Sequence, residues 1–151
     1  MGPCNAPSLD GVGPHGRLSL QAYGEAEALK HRWIESEKAG YDLGDEPIRV
    51  WVNLHWRGFL RERWIEHLQG RAYWVELDHA DFGLLSSVLE ETPLLDEIMR
   101  RVKRGDENLE ILDWAIETIL PMDDVINILE TLDINGRRIE CKFANRLCLA
   151  N

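Results

Sequence analysis

The sequence predicts an all-α protein, an irregular bundle of about six helices around one central helix. Apolar residues recur at spacings of three and four along most of the chain, as expected for amphipathic helices. Gly, Pro, Asp and Thr stand where these segments begin or end, and each favours a helix cap or terminus. The chain has no internal repeat and no heptad run of coiled-coil length. These observations together favour a bundle with short connections.

Composition and length favour one soluble globular domain. The chain has 151 residues, of which 44% are hydrophobic and 29% are charged, values typical of such a domain. We expect residues 1–18 to form a flexible Gly- and Pro-rich tail and residues 19–151 to form a single helical domain. No secretory signal is expected, because the first residues include neither a basic region nor an apolar one.

Charge and cysteine usage exclude several classes of function. The formal net charge of −10 and the pI of about 4.9 disfavour nucleic acid and anionic membranes as partners. No segment approaches the roughly 18 consecutive apolar residues of a membrane span. Three cysteines without CxxC spacing indicate neither a disulfide framework nor a zinc knuckle. A reducing, cytoplasmic location is therefore expected.

The first helix is expected from Ser19 to Ala39. Gly40 follows directly and is a natural helix terminator. The large apolar residues of this segment predict its buried contacts, which would be Leu29, Trp33 and Ile34.

The central helix is expected from Pro47 to Gly70. This segment holds three of the six tryptophans, four arginines and two glutamates, so its net charge is +2 in an acidic chain. Its apolar side chains spread over two sides at 100° per residue. One side holds Ile48, Val52, Trp56 and Phe59, and the other holds Val50, Leu54, Leu60, Trp64, Ile65 and Leu68. A helix that is apolar nearly all round belongs inside a bundle.

In residues 73–77, Tyr73, Val75 and Leu77 alternate with Trp74 and Glu76, which suits a short strand or an extended connection. Residues 137–143 alternate in the same way, so a minor two-stranded β annex is compatible with the sequence. Asp78 or Asp81 is expected to cap the short helix that follows.

Three further helices are expected in the C-terminal half. Thr92-Pro93 predicts the first start, Asp106 is the expected cap of the second, and Pro121 separates the second from the third. Asn135-Gly136 predicts a helix end or tight turn. The apolar side of the second helix is expected to consist of Leu109, Leu112, Ala115, Ile116 and Ile119.

One set of residues has the chemistry of a metal site between the first two helices. Imidazole and carboxylate groups suit a divalent transition metal, and the candidate ligands are His31, Glu35, His55, Glu62 and Glu66. Neither the Glu-x-x-His spacing of diiron bundles nor HExxH occurs in the chain. The alternative is that Arg57, Arg61 and Arg63 pair with these glutamates or with acids on neighbouring helices.

Other chemistry finds less support. Residues 76–81 hold three acids and one histidine, but helix capping and turn formation account for them. The run HWRGFLRERW resembles an aromatic and basic nucleic-acid surface only in composition, because its aromatics are needed for the core. No GxSxG motif is present, and the GxGxxG spelling at residues 11–16 follows no strand.

The sequence therefore favours a non-catalytic protein-interaction or regulatory module, whose acidic outer helices supply the binding surface. Trp74 and Trp114 are the candidate interface residues. No catalytic residue and no cofactor is expected, a protein partner is expected, and a homo-oligomer is left open. The alternative is a metal- or cofactor-binding helical protein that uses the His/Glu cluster.

Overall fold

The computed structural model describes residues 18–134 and 139–144, and in this part of the chain the fold is helical, as predicted. The α-helices are α1 (Leu20–Ala39), α2 (Glu46–Leu68), α3 (Leu84–Val88), α4 (Pro93–Lys103), α5 (Asn108–Glu117) and α6 (Met122–Leu132). A 3-10 helix, His79–Asp81, lies between α2 and α3. These residues contain no strand. Trp74 instead forms one isolated parallel bridge with Leu18.

The chain divides into two compact units, and helix α2 contributes to both. The first unit comprises Met1–Leu60, Trp74–Glu76 and Ile139–Asn151, and the second comprises Arg61–Tyr73 and Leu77–Arg138. The predicted single domain stays a prediction. Residues 1–17 of the predicted tail, the predicted turn at Asn135-Gly136 and part of the second annex segment lie outside the described residues.

Both ends of α1 lie where the sequence predicts them. The Ser19 hydroxyl caps the N-terminus and accepts a hydrogen bond from the Ala22 amide at 3.2 Å. Gly40 ends the helix with φ of 82°, and its N–H donates to the Ser36 carbonyl. This left-handed conformation is easily adopted only by a residue without Cβ.

The predicted buried side of α1 is wrong. Leu29, Trp33 and Ile34 are exposed, whereas the buried residues are Leu20, Gly24, Ala26 and Ala28. The small residues face inward because the first unit is filled by large rings on α2. A Cβ at Gly24 would lie only 2.5 Å from the Trp56 ring. Close packing of the aromatics thus selects the small side of α1.

The core of the first unit is aromatic. The Trp56 ring stacks on Phe59 with centroids 5.6 Å apart and meets Phe143 edge-on at 5.7 Å. Its indole N–H donates to the Ile139 carbonyl at 2.9 Å. Trp74 is buried and contacts Tyr23 in a T-shaped arrangement at 5.6 Å. Such pairs add to the free energy gained by burial.

Helix α2 carries buried residues along its whole length, but it is not apolar all round. Ile48, Trp51 and Phe59 are buried in the first unit, and Trp64 and Ile65 are buried in the second.

The expected second apolar side of α2 fails in its N-terminal half. Leu54 is 71% exposed, and Val50 is also exposed. This part of α2 therefore has a solvent face.

A buried histidine organises the loop after α2. His67 is fully buried, and its ring stacks on Trp64. Its Nε2 lies 2.8 Å from the Asp78 carbonyl, so this nitrogen carries the proton and donates. Gly70 and Gly83 approach each other closely, and both have φ of 73°. The absence of side chains at both positions permits the loop to pack against itself.

Helix α4 begins as predicted, whereas α5 begins differently. The Thr92 hydroxyl accepts from the Leu95 amide at 3.2 Å, with Pro93 in the first turn. Glu107, rather than Asp106, caps α5 and forms a capping box with Glu110. Asp106 instead pairs with Arg104, 2.8 Å away. This ion pair occupies the carboxylate that the sequence had suggested as the cap.

Candidate functional site

The carboxylates of the predicted metal site pair with cations. Glu62 lies 3.1 Å from Arg63, and Glu66 also forms an ion pair with Arg63. Glu35 pairs with Lys38 at 3.1 Å. Arg63 therefore forms the ion pairs with glutamates that were expected as the alternative to a metal site. Arg61 also forms such a pair, with Glu107 at 2.6 Å.

The two histidines of that predicted site lie on the surface of the first unit. His55 is exposed and lies beside Trp51 with ring centroids 6.1 Å apart, and His31 is partly exposed. Within residues 18–134 and 139–144, no three His, Cys, Asp or Glu side chains form a group that could hold a metal ion. The metal hypothesis stays a prediction, without an assembled ligand set in this part of the chain.

The acidic segment 76–81 has structural roles. The Glu76 carboxylate accepts from the Ser19 hydroxyl and the Leu20 amide, both at 2.7 Å. It therefore satisfies the orphan donors at the α1 N-terminus and complements the helix dipole there. Asp78 caps the 3-10 helix by accepting from the Ala80 amide at 3.0 Å.

The two candidate interface tryptophans, Trp74 and Trp114, differ in their exposure to solvent. Trp74 is only 2% exposed, so the expectation that it marks a surface interface is wrong. It is buried because it packs in the aromatic core of the first unit. Trp114 is partly exposed, and the Arg101 guanidinium lies 4.0 Å above its ring. This cation–π contact covers one face of the Trp114 indole.

The exposed apolar residues of α1 line a groove of about 690 Å³ in the first unit. Its walls are formed by Leu29, Arg32, Trp33, Ser36, Glu37, Gly40, Tyr41 and Asp42. The Arg32 guanidinium bonds both Asp42 oxygens and lowers the pKa of that carboxyl. Although Arg32 is already paired within the wall, the groove presents polar and apolar surface in comparable amounts.

A second exposed apolar surface lies on α5 and on the turn that follows it. Leu109 is 70% exposed, Ile116 is 62% exposed and Ile119 is 91% exposed. The predicted apolar side of α5 is therefore largely wrong, because Ile111 and Ala115 are the buried residues of this helix. We call Leu109, Ile116 and Ile119, together with the neighbouring Glu110, Asp113 and Glu117, the α5 surface.

Ile119 is held in a conformation that its side chain disfavours. Its φ is 56°, in the left-handed region. Its N–H bonds the Ile116 carbonyl, and the next N–H, of Leu120, bonds the Ala115 carbonyl. These two bonds define a Schellman motif, in which the left-handed position is usually glycine. Ile119 is β-branched and almost fully exposed, so it adopts a disfavoured backbone conformation while its side chain is not buried.

The α5 surface also lies in a strongly acidic part of the chain. From Glu107 to Asp133 there are eight acidic residues and no Lys, Arg or His. Among the described residues, five of these carboxylates are exposed and form no ion pair, and they belong to Asp113, Glu117, Asp123, Asp124 and Glu130. The α5 surface thus combines apolar side chains with two carboxylates, of Asp113 and Glu117, that form no ion pair among the described residues.

Sequence patterns alone did not identify this surface. The apolar residues of α5 occupy two sides of the helix, and periodicity cannot state which side is buried. One local signal was present, because Ile stands where a helix end before Pro121 would favour glycine.

In the described residues, no helix combines the length and the apolar character needed to cross a membrane. Comparisons with protein-family models, with curated proteins and with solved structures find no match to this chain.

Proposed function

We propose that this protein is a non-catalytic interaction module that binds a partner protein through the α5 surface. The observation that carries the proposal is the exposure of Leu109, Ile116 and Ile119, the last in a left-handed conformation. Exposed apolar residues rimmed by polar groups are characteristic of protein-binding sites. The proposal includes a cytoplasmic location, which is supported by cysteines without disulfide spacing.

The energetics of an exposed isoleucine support this proposal. Burying one such side chain contributes about 1.5–3 kcal/mol, which α5 does not gain within its own unit. A partner that covers the α5 surface would recover this free energy.

Site-specific photo-crosslinking in cells tests the proposal. A benzophenone amino acid is placed at Ile116 and, as a matched control, at Leu54, which is also an exposed apolar residue of a helix. We expect a discrete adduct of one mass from Ile116 and no such adduct from Leu54. The Ile116 adduct should disappear when Leu109→Asp is added, because that change places charge in the apolar surface.

Two results would contradict the proposal. Equal adducts from both positions would show non-specific contact with exposed apolar residues. An Ile116 adduct that survives Leu109→Asp would show that the surrounding surface does not determine binding.

A further inference from the structure

We infer that the segment bound at the α5 surface is a basic amphipathic helix, an inference that rests on the proposed function. The main reason is charge. Five exposed carboxylates on α5 and α6 form no ion pair among the described residues, and they belong to Asp113, Glu117, Asp123, Asp124 and Glu130. A partner segment with Lys or Arg beside its apolar residues would compensate these charges.

The spacing on α5 fits a helical segment. Leu109 and Ile116 are seven residues apart, or about 10.5 Å along the helix axis. Asp113 lies between them on the same side, and Glu110 and Glu117 lie towards one flank at 100° per residue. A partner helix repeats its apolar positions at the same i, i+7 distance. The long side chains of Lys and Arg can reach acids beside that row.

Charge also argues against other occupants. A second copy would bring the same acidic surface against itself in a two-fold interface, so like charges would face each other. Anionic lipid and nucleic acid would be repelled for the same reason. A basic helix is the occupant that satisfies both the apolar and the acidic features.

Fluorescence anisotropy with synthetic peptides tests this inference on the full chain. The probe is a fluorescein-labelled amphipathic helix of Leu and Lys, about 18 residues long so that it is helical when bound. A Leu/Glu peptide keeps the apolar face but reverses the charge, and a Lys/Ser peptide keeps the charge without the apolar face. We expect that only the Leu/Lys peptide binds, and that raising the salt from about 50 to 500 mM weakens its affinity at least tenfold.

Variants locate the binding. We expect the double variant Leu109→Ser, Ile116→Ser to weaken binding of the Leu/Lys peptide at least tenfold. The double variant Asp113→Asn, Glu117→Gln should also weaken this binding and make it less dependent on salt. Leu54→Ser is the matched control, because Leu54 is as exposed as Leu109, and it should leave binding unchanged.

The inference is overturned if the Leu/Glu peptide binds as tightly, if Leu54→Ser weakens binding equally, or if no peptide binds. It is also overturned if sedimentation shows a dimer that Ile116→Ser dissociates, since the occupant would then be a second copy. A specific Ile116 photo-adduct without peptide binding would leave the proposed function standing and remove only the basic-helix partner. If neither the Ile116 photo-adduct nor peptide binding is observed, both the proposed function and the basic-helix partner are contradicted.

Discussion

Replacing Ile119 by glycine should stabilise this protein, although it removes a large apolar side chain. The residue has φ of 56° and is 91% exposed, so it has conformational strain and little burial. A left-handed conformation costs an L-residue about 1–2 kcal/mol. Glycine avoids that cost but loses about 0.5–1 kcal/mol through the greater freedom of the unfolded chain. The expected net gain in the free energy of unfolding is about 0.5–1 kcal/mol.

Urea unfolding followed by circular dichroism measures this gain. With a slope of about 2 kcal/mol per M, the midpoint of Ile119→Gly should rise by about 0.3–0.5 M. Ile119→Ala keeps the Cβ and most of the strain, so its midpoint should change much less. Ile126→Gly is the matched control inside α6, where glycine should cost about 1 kcal/mol.

A lower midpoint for Ile119→Gly would contradict this prediction, since Ile119 would then stabilise the fold through contacts. Equal stabilisation by Ile119→Ala and Ile119→Gly would also contradict it, because the Cβ would then not be the source of strain. If a basic helix binds the α5 surface, the stabilised Ile119→Gly variant should also bind the Leu/Lys peptide more weakly. Stability and binding would thus change in opposite directions at one residue.

Three further predictions concern the first unit. Glu76→Ala should lower the free energy of unfolding by about 1–2 kcal/mol because the α1 N-terminus loses its acceptor; Glu76→Gln should lose less, and equal urea midpoints for the two variants would contradict the capping role. Gly24→Ala should destabilise by about 1–3 kcal/mol because its Cβ meets the Trp56 ring; a higher melting temperature would show that the ring can move. Arg32 lowers the pKa of the Asp42 carboxyl. The pair therefore stabilises the fold at pH values above the ordinary carboxyl pKa, and this stabilisation is lost as the pH falls through the lowered pKa. Urea midpoints measured from neutral to acidic pH should therefore fall less for Asp42→Asn than for the unaltered protein, and identical pH profiles would contradict this role.

The fold class and most helix ends could be predicted from local sequence signals. Gly40, Gly70 and Thr92-Pro93 all mark helix boundaries in the structure. These signals are reliable because a cap or a left-handed glycine acts on the backbone within one turn. There are two exceptions: Glu107 rather than Asp106 caps α5, and Gly83 rather than Asp78 or Asp81 stands at the N-cap of α3. At α5, two acids stand side by side and each could serve as a cap, so the local sequence pattern does not distinguish them.

The buried side of each helix could not be predicted in this way, because it depends on tertiary packing. The large residues Leu29, Trp33 and Ile34 of α1 are exposed because the Trp56 ring requires the small side near Gly24. On α5, Ile111 is buried, whereas Leu109 and Ile116 on another side of the helix are exposed to solvent. A helix pattern states how hydrophobic each side is, but burial depends on the shape of what packs against it. For this reason the α5 surface became visible only in the folded chain.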